Sequence, residues 1–229
     1  PRNNANGNNS TFAGHVRVYS YANGSWTQLG SDIDGPGQIG YAGFFGGEFG
    51  SSVSLSGDGT FLAVGAPKND ETGGNQSSSG SFYGNGGEVK VFSFLNNSWT
   101  QIGSDIGSFY INNKIGLDGV QSSSQFISIY TGYSVSLSDD GTRLAIGAPG
   151  NSGIYNANHF YSGAYKGMVR ILEYSNGNWS QLGNDLFGEA NYDEFGSSVS
   201  LSADGNRILI GAKSYLLDAT MTLLGDSAY

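Results

Sequence analysis

The sequence predicts an all-β fold of repeated antiparallel sheets, and three observations lead to this prediction. Glycine accounts for 38 of the 229 residues, and aromatic residues make up 13% of the chain. Such a composition is typical of many short strands joined by tight turns. One segment also occurs in three versions, GSSVSLSGDGTFLAVGAP at 50–67, GYSVSLSDDGTRLAIGAP at 132–149 and GSSVSLSADGNRILIGAK at 196–213.

The repeated segment predicts the first two strands of each unit. In its first version, residues 52–56 alternate serine with apolar residues, which is the period of a half-buried strand. Residues 61–66 form a continuous apolar run, as expected for a strand that is covered on both faces. An Asp-Gly pair between two such runs predicts a hairpin turn in every version, at Asp58-Gly59, Asp140-Gly141 and Asp204-Gly205.

A tryptophan segment predicts the third and fourth strands. Trp26, Trp99 and Trp179 occur in NGSWTQLGSDI, NNSWTQIGSDI and NGNWSQLGNDL, each preceded by a Gly-x-Val segment. In the first copy we expect a third strand from Val16 to Tyr21 and a fourth from about Trp26 to Ile33, joined by an Asn-Gly turn. Each unit is then a four-stranded antiparallel meander, the form of a β-propeller blade. The identical placement of the tryptophans favours packing between blades over the stacking of sugars.

We expect one repeat domain over residues 1–229, with units at about 14–86, 87–166 and 167–213 and a tail at 214–229. The sequence starts with third and fourth strands and ends with first and second strands. This predicts either an incomplete propeller or one that neighbouring subunits complete by strand addition. The long connections carry aromatic residues that we expect in a recognition surface or packed interface: Tyr41, Phe44, Phe45, Phe82, Tyr83, Phe109, Tyr110, Tyr155, Phe160, Tyr161 and Tyr165.

The repeated pattern resembles a known family. Its residues in the first copy are Phe49-Gly50, Val53, Leu55, Asp58-Gly59, Gly65-Ala66-Pro67 and Gly87-x-Val89-x-Val91-Phe92. This pattern is similar to the FG-GAP repeat of integrin alpha-subunit β-propellers and their relatives in secreted proteins. The third copy keeps Phe195-Gly196 but ends in Lys213, and the second has Thr131 in place of phenylalanine. The resemblance implies propeller blades, and its family includes adhesion modules, ligand-binding heads and enzyme accessory domains.

Calcium-binding members of this family use a loop similar to D-x-[DN]-x-D-G. The corresponding turns here contain one or two carboxylates, as in Ser56-Gly57-Asp58-Gly59 and Ser138-Asp139-Asp140-Gly141. Calcium takes six to eight oxygen ligands, which so few carboxylates on a short turn do not supply. We therefore expect plain hairpin turns and no metal ion at these positions.

Composition and motifs argue against several classes of function. The net charge is −9 and the ten Lys and Arg residues are scattered, so we expect no nucleic-acid partner. No apolar run is long enough to span a membrane, and no cysteine is present. The sequence contains two histidines, His15 and His159, and no G-x-S-x-G motif that could supply the serine of a catalytic triad. Two histidines without cysteine also argue against a zinc site. The G-x-G-x-x-G motif at 35–40 is not followed by the helix pattern that a dinucleotide site needs, so we expect no cofactor.

Glycosylation sequons predict an extracellular or cell-surface location. The sequence N-x-[ST] occurs with candidate acceptors at Asn9, Asn23, Asn75, Asn96 and Asn178.

Together these features favour a non-enzymatic, glycosylated structural or adhesion protein that assembles with copies of itself, for instance as a filament or surface appendage. The alternative is a module of a larger secreted protein that binds a glycan or a protein through its long loops. A third hypothesis is a polysaccharide hydrolase that uses the acidic loop of Glu189, Asp193 and Glu194. We expect that loop to be solvated surface, and we expect the aspartates that recur after each tryptophan to have structural roles: Asp32, Asp105 and Asp185.

Overall fold

The computed structural model describes residues 13–36, 47–69, 86–107, 129–151 and 165–214. Within these ranges all regular structure is β, and the predicted all-β fold is confirmed. The strands in chain order are β1 (His15–Val16), β2 (Tyr19–Ala22), β3 (Ser25–Gln28), β4 (Ile33–Asp34), β5 (Ser52–Leu55), β6 (Phe61–Ala66), β7 (Glu88–Leu95), β8 (Ser98–Gln101), β9 (Ser134–Leu137), β10 (Arg143–Ala148), β11 (Met168–Ser175), β12 (Asn178–Gln181), β13 (Leu186–Phe187), β14 (Ser198–Leu201) and β15 (Ile208–Gly211).

The strands form two complete blades and two half-blades. Blade I has the order β5-β6-β7-β8, and blade II has the order β9-β10-β11-β12 with β13 paired to β11. All these pairs are antiparallel. The N-terminal half-blade contains β2 paired with β3 and β1 paired with β4, and the C-terminal half-blade contains β14 paired with β15. The half-blades correspond to the second and first halves of a complete blade.

Each Asp-Gly turn is held by the same side-chain bonds. In blade I the Ser56 hydroxyl donates to Oδ1 of Asp58 over 2.8 Å, and the backbone N–H of Thr60 donates to the same oxygen over 2.9 Å. The bond from the Thr60 N–H, followed by the Thr60 and Ser56 hydroxyls, lowers the pKa of Asp58. Asp140 and Asp204 accept equivalent bonds in their own turns. The predicted hairpins are confirmed at all three positions.

The outer hairpins, which join the third strand of a blade to the fourth, also match the prediction. Their central residues have positive φ angles, 52° and 82° at Asn23-Gly24 and 51° and 62° at Asn96-Asn97. Asn176-Gly177 has 51° and 82°. Two consecutive left-handed residues define the type I′ turn, which matches the right-handed twist of the strands that it joins.

The continuous third strand that we expected from Val16 to Tyr21 is wrong in detail. The structure divides it into β1 and β2, with Arg17 and Val18 between them. In blade I the corresponding residues, Lys90 and Val91, pair with β6. No strand of the described residues takes the place of β6 beside the N-terminal half-blade, so the ladder is interrupted there. The expected fourth strand is likewise divided into β3 and β4.

The core lies between blades that stack face to face. The second and third strands of both blades are buried on both sides, including Leu62 and Val64 in β6 and Leu144 and Ile146 in β10. One cluster joins blades I and II, and a second joins blade I to the N-terminal half-blade through Val18, Ile33 and Phe49. Contact with a blade on either side therefore explains the continuous apolar runs in the sequence.

An equivalent ion pair occurs in the outer part of each unit. The Arg17 guanidinium donates to both carboxylate oxygens of Asp32, and Gln28 donates to the same side chain over 2.8 Å. Lys90 with Asp105 and Arg170 with Asp185 form the equivalent ion pairs, at 2.6 Å each. The recurring aspartates thus have the structural role that the repetition predicted.

Replacing Asp32 with asparagine should reduce the pH dependence of stability. Hydrogen bonds from Arg17 and then Gln28 lower the pKa of Asp32 to about 2 from a usual value of 3.8. Since the folded pKa is depressed, the carboxylate stabilises the fold above about pH 4, and that contribution is lost as the pH falls towards 2. Urea unfolding should show Asp32→Asn less stable than wild type at pH 7, with the difference shrinking towards pH 2. A difference that stays constant over this range would contradict the assignment.

Replacing the equivalent turn glycines Gly59 and Gly141 with alanine should lower the free energy of unfolding by unequal amounts. Gly59 and Gly141 have φ angles of 72° and 69°, so either substitution should cost about 1 to 2 kcal/mol from the left-handed backbone alone. A Cβ at Gly59 would meet no atom of the described residues within 4 Å, whereas one at Gly141 would lie 2.4 Å from the Phe61 ring. Gly141→Ala should therefore lower the free energy of unfolding by roughly 1 to 3 kcal/mol more than Gly59→Ala. Equal losses in denaturant titrations would show that the two blades do not pack as described.

Candidate functional site: two open blade faces

The acidic loop after blade II is a hydrogen-bonded turn. The Asp193 carboxylate accepts the backbone N–H of Ala190 over 2.7 Å, and the backbone N–H of Glu194 donates to the carbonyl of Tyr165 over 2.9 Å. Within the described ranges, no three His, Cys, Asp or Glu side chains come together in a group that could hold a metal ion. Nor do those ranges contain a helix with the length and apolar character of a membrane span.

Three of the five predicted glycosylation sites lie on outer hairpins. Asn23 and Asn96 occupy the same turn position, and Asn178 is the first residue of β12. All three residues are exposed. Asn9 and Asn75 lie outside the described residues, as do His159 and every loop aromatic named above except Tyr165. Tyr165 packs beside Tyr192, with their ring centroids 6.3 Å apart.

A groove of about 330 Å³ separates the outer strands of blades I and II. It is lined by Asp105, Arg170, Trp179 and Gln181 among others. Its charged groups are already paired, Asp105 with Lys90 and Arg170 with Asp185. The groove therefore offers to a ligand the indole of Trp179 and the Gln181 amide, whose nitrogen also donates to Gly183 and Asp185. Its charged residues lie in structural ion pairs.

Adjacent blades meet through a tryptophan on the fourth strand. The indole Nε1 of Trp99 in blade I donates to the carbonyl of Leu29 in the N-terminal half-blade over 2.9 Å. A Cβ added at Gly30 would lie 3.0 Å from Cδ1 of the same indole, so glycine is what permits this approach. Trp179 of blade II covers Gly103 of blade I in the same way, with the corresponding distance at 2.7 Å. Each blade thus places its tryptophan on the Gly that follows the fourth strand of the preceding blade.

The first strands of successive blades form a second repeated contact. Serine side chains on β5 and β9 point towards the next blade, where the Ser54 Oγ accepts the Leu137 N–H and the Ser136 Oγ accepts the Leu201 N–H. The Ser52 hydroxyl donates to the Gly132 carbonyl over 2.7 Å. Ser134 donates to the Gly196 carbonyl over 2.8 Å. The same hydrogen bonds therefore join blade I to blade II and blade II to the C-terminal half-blade.

The surface that would meet a preceding blade is exposed and apolar. We call it the N-terminal open face, and it contains Trp26, Val53 and Leu55. Trp26 is 69% exposed and Val53 is 53% exposed, whereas Val135, at the position equivalent to Val53, is 8% exposed against blade I. Our prediction that all three tryptophans pack between blades is therefore right for Trp99 and Trp179 and wrong for Trp26. The reason is that the described residues contain no blade on that side.

The opposite surface, which would meet a following blade, is also open. We call it the C-terminal open face, and it contains Gly183, Ser200 and the free edge of β15. Leu209 in β15 is 75% exposed. A Cβ at Gly183 would meet no described atom within 4 Å, in contrast to Gly30 and Gly103. Sequence reasoning identified the repeated positions, but only the three-dimensional contacts show which of them lack a covering blade.

Phenylalanine at Trp99 should destabilise the protein more than phenylalanine at Trp179. The Trp99 Nε1 has an acceptor at Leu29, whereas the buried Nε1 of Trp179 has none among the described residues. Both variants lose similar apolar contact, so Trp99→Phe should cost roughly 1 kcal/mol more, the net value of one hydrogen bond. Thermal or urea unfolding of the two variants measures this difference. The opposite order would show that the Leu29 bond does not join the blades.

Comparisons with known proteins agree with the repeat pattern. Residues 43–83 match the family model described as FG-GAP repeat. Solved structures to which the chain is similar include the hydrazine synthase of Kuenenia stuttgartiensis (14% identity, TM-score 0.35) and the periplasmic gluconolactonase of Pseudomonas aeruginosa (17% identity, TM-score 0.35). These similarities cover 72% and 86% of this chain and 45% and 42% of the solved ones, so this chain matches less than half of either protein.

Structural similarity at this level is too distant to bear on function, and no curated protein matches the chain. The family match includes the β5–β6 hairpin, whose turn and strands recur in blade II and in the C-terminal half-blade. This match and the four-stranded blades support an FG-GAP, β-propeller-type repeat in the chain.

Proposed function

We propose that the protein is a non-enzymatic structural or adhesion module that assembles head-to-tail with copies of itself. The observation that supports this proposal is the complementarity of the two half-blades. The C-terminal half-blade supplies a first and a second strand, and the N-terminal half-blade supplies a third and a fourth. One half-blade from each of two copies makes one complete blade.

The register of the complete blades specifies how the half-blades would pair. In blade I the second strand pairs with the third so that Phe61 opposes Ser93, and in blade II Arg143 opposes Glu173. The equivalent residues of the half-blades are Arg207 in one copy and Ser20 in the other. Antiparallel pairing in this register would give every exposed N–H and C=O of the β15 edge the kind of partner that it has inside a blade.

The same placement would also extend the contact between first strands. Ser200 of one copy corresponds to Ser54 and Ser136, whose hydroxyl oxygens accept a backbone N–H from the next blade. The donor in the second copy would be the N–H of Leu55, and this contact would cover the exposed Val53. Because different surfaces of the two copies meet, the contact is heterologous and repeats into a ring or an open filament.

An extracellular setting belongs to this proposal. The exposure of Asn23, Asn96 and Asn178 on the outer hairpins supports their use as glycan acceptors. The acidic loop supports the non-enzymatic part, because Asp193 is engaged in holding its own turn.

A binding module of a larger secreted protein is the second candidate, and the groove beside Trp179 favours it. An indole with neighbouring amide groups suits a glycan, because a sugar ring stacks on the aromatic face and its hydroxyls bond to amides. Retention of glycans by the wild type but not by a Trp179→Ala variant would support this candidate over assembly alone.

Cysteines at Ser20 and Arg207 should link copies of the protein into a covalent ladder. Both residues are exposed, and the natural chain contains no cysteine. Opposed residues in an antiparallel pair have Cα atoms about 4.5 to 5.5 Å apart, which suits a disulfide. Under oxidising conditions the double variant should give dimers, trimers and higher species on a non-reducing gel.

The single variants Ser20→Cys and Arg207→Cys are the matched controls, since one cysteine in a chain can link two copies at most. If the double variant gives no species larger than the dimers of the single variants, blade completion between copies is overturned.

A further inference from the structure

We infer that Trp26 of one copy docks on Leu182 and Gly183 of the next copy and donates its indole N–H to the Leu182 carbonyl. This inference rests on the proposed assembly and names the side chain that anchors it. The occupant of each open face is then a second copy of this chain, because each copy carries both halves of the contact.

The docking of a tryptophan on the equivalent glycine occurs twice within the chain, and the indole hydrogen bond accompanies it at Trp99. Trp99 donates to the carbonyl of Leu29 and lies against Gly30, and Trp179 lies against Gly103 one blade later. In both cases the tryptophan comes from the fourth strand of one blade, and the glycine follows the fourth strand of the preceding blade. The proposed contact continues this arrangement by one more blade.

Trp26 is held in the orientation that this contact needs. Its ring packs on Tyr21, with centroids 5.2 Å apart and planes at 51°. Trp99 has the same relation to Phe94, at 4.9 Å and 46°, and Trp179 packs on Tyr174 in like manner. The internal tryptophans are covered by a neighbouring blade and Trp26 is not, so docking would bury an indole that the strand pair already positions.

The receiving surface is also formed in advance. Gly183 has a φ angle of 74°, close to 76° at Gly30 and 69° at Gly103. The N–H of Leu182 donates to the Ile171 carbonyl over 2.8 Å, and the N–H of Leu29 makes the equivalent bond to Val18 at the same distance. Gln181 donates to the Gly183 carbonyl, as Gln28 does to that of Gly30. The Leu182 carbonyl is thus presented as the Leu29 carbonyl is, beside a glycine with open space among the described residues.

The pairing of the half-blades and the docking of Trp26 belong to one interface. In a blade completed by two copies, β2 and β3 come from the second copy, and β3 carries Trp26. The preceding blade is blade II of the first copy, which carries Gly183. Strand pairing and tryptophan docking would therefore occur together with a single orientation of the two chains. A buried aromatic anchor that fits a preformed surface is the usual centre of a protein interface.

Two variants test the contact, one on each side of it. Trp26→Ala removes the anchor, and Gly183→Leu fills the space that the anchor needs. Each should raise the dissociation constant of assembly by roughly thirtyfold or more, as measured by sedimentation velocity. Gly177→Leu is the matched control for Gly183→Leu, because Gly177 also has a positive φ angle, 82°, and no described atom near its Cβ position, yet lies at the hairpin tip.

Mixing the two variants gives the sharpest result. Trp26→Ala retains an intact Gly183, and Gly183→Leu retains an intact Trp26, so the mixture has one functional contact per pair of chains. We expect each variant alone to remain monomeric and the mixture to form dimers of one chain of each kind, with no longer species. Rescue of this kind requires both variants to be folded, so misfolding does not imitate it.

Other outcomes separate this inference from the proposed function. A wild-type chain that stays monomeric would overturn both. Wild-type assembly that neither variant weakens would overturn the tryptophan contact and leave blade completion standing. An equal effect of Gly177→Leu and Gly183→Leu, or a mixture that stays monomeric, would also overturn the contact. So would a Trp26 already shielded from a fluorescence quencher in the monomer, because another part of the chain would then cover it.

Discussion

The contact between successive blades is the interaction on which the rest of the structure depends. A four-stranded sheet of this size has two apolar faces, and each must be covered by a neighbour. Two contacts hold one blade against the next: hydrogen bonds to serine side chains along the first strands, and a tryptophan on the fourth strand. Burial of Leu62, Val64, Leu144 and Ile146 follows from that stacking. The glycines at the contact points are needed because the backbone of one blade or the indole of the next occupies the space of a side chain.

The same contact explains why the two ends of the described structure differ from its middle. Equivalent residues are buried or exposed according to whether a neighbouring blade is present, as Val135 and Val53 show. Since the serine bonds repeat from blade to blade with equivalent donors and acceptors, we propose that the open faces are complementary to each other. Complementary faces at opposite ends generate directional assembly, whereas a single self-complementary face would generate a closed dimer.

The sequence predicted most strands and turns within a blade, but it did not predict which residues are covered by a neighbouring blade. The Asp-Gly and Asn-Gly turns and the second strands were predictable because their chemistry is local. The structural role of Asp32 followed from its repetition, although its partner Arg17 was not identified. The exposure of Trp26 was not predictable, because burial depends on a neighbouring blade and the local sequence of Trp26 is nearly the same as that of Trp99. The division of the N-terminal third strand into β1 and β2 has the same cause, because the described part of the chain contains no partner strand beside it.

The most direct test of the account is the sedimentation coefficient of the unmodified chain measured over a range of concentrations. Blade completion between copies predicts a coefficient that rises with concentration as chains add head-to-tail, or a fixed value for a closed ring of several chains. A coefficient that corresponds to one chain at every concentration would contradict the account, since both open faces would then remain uncovered by a second copy.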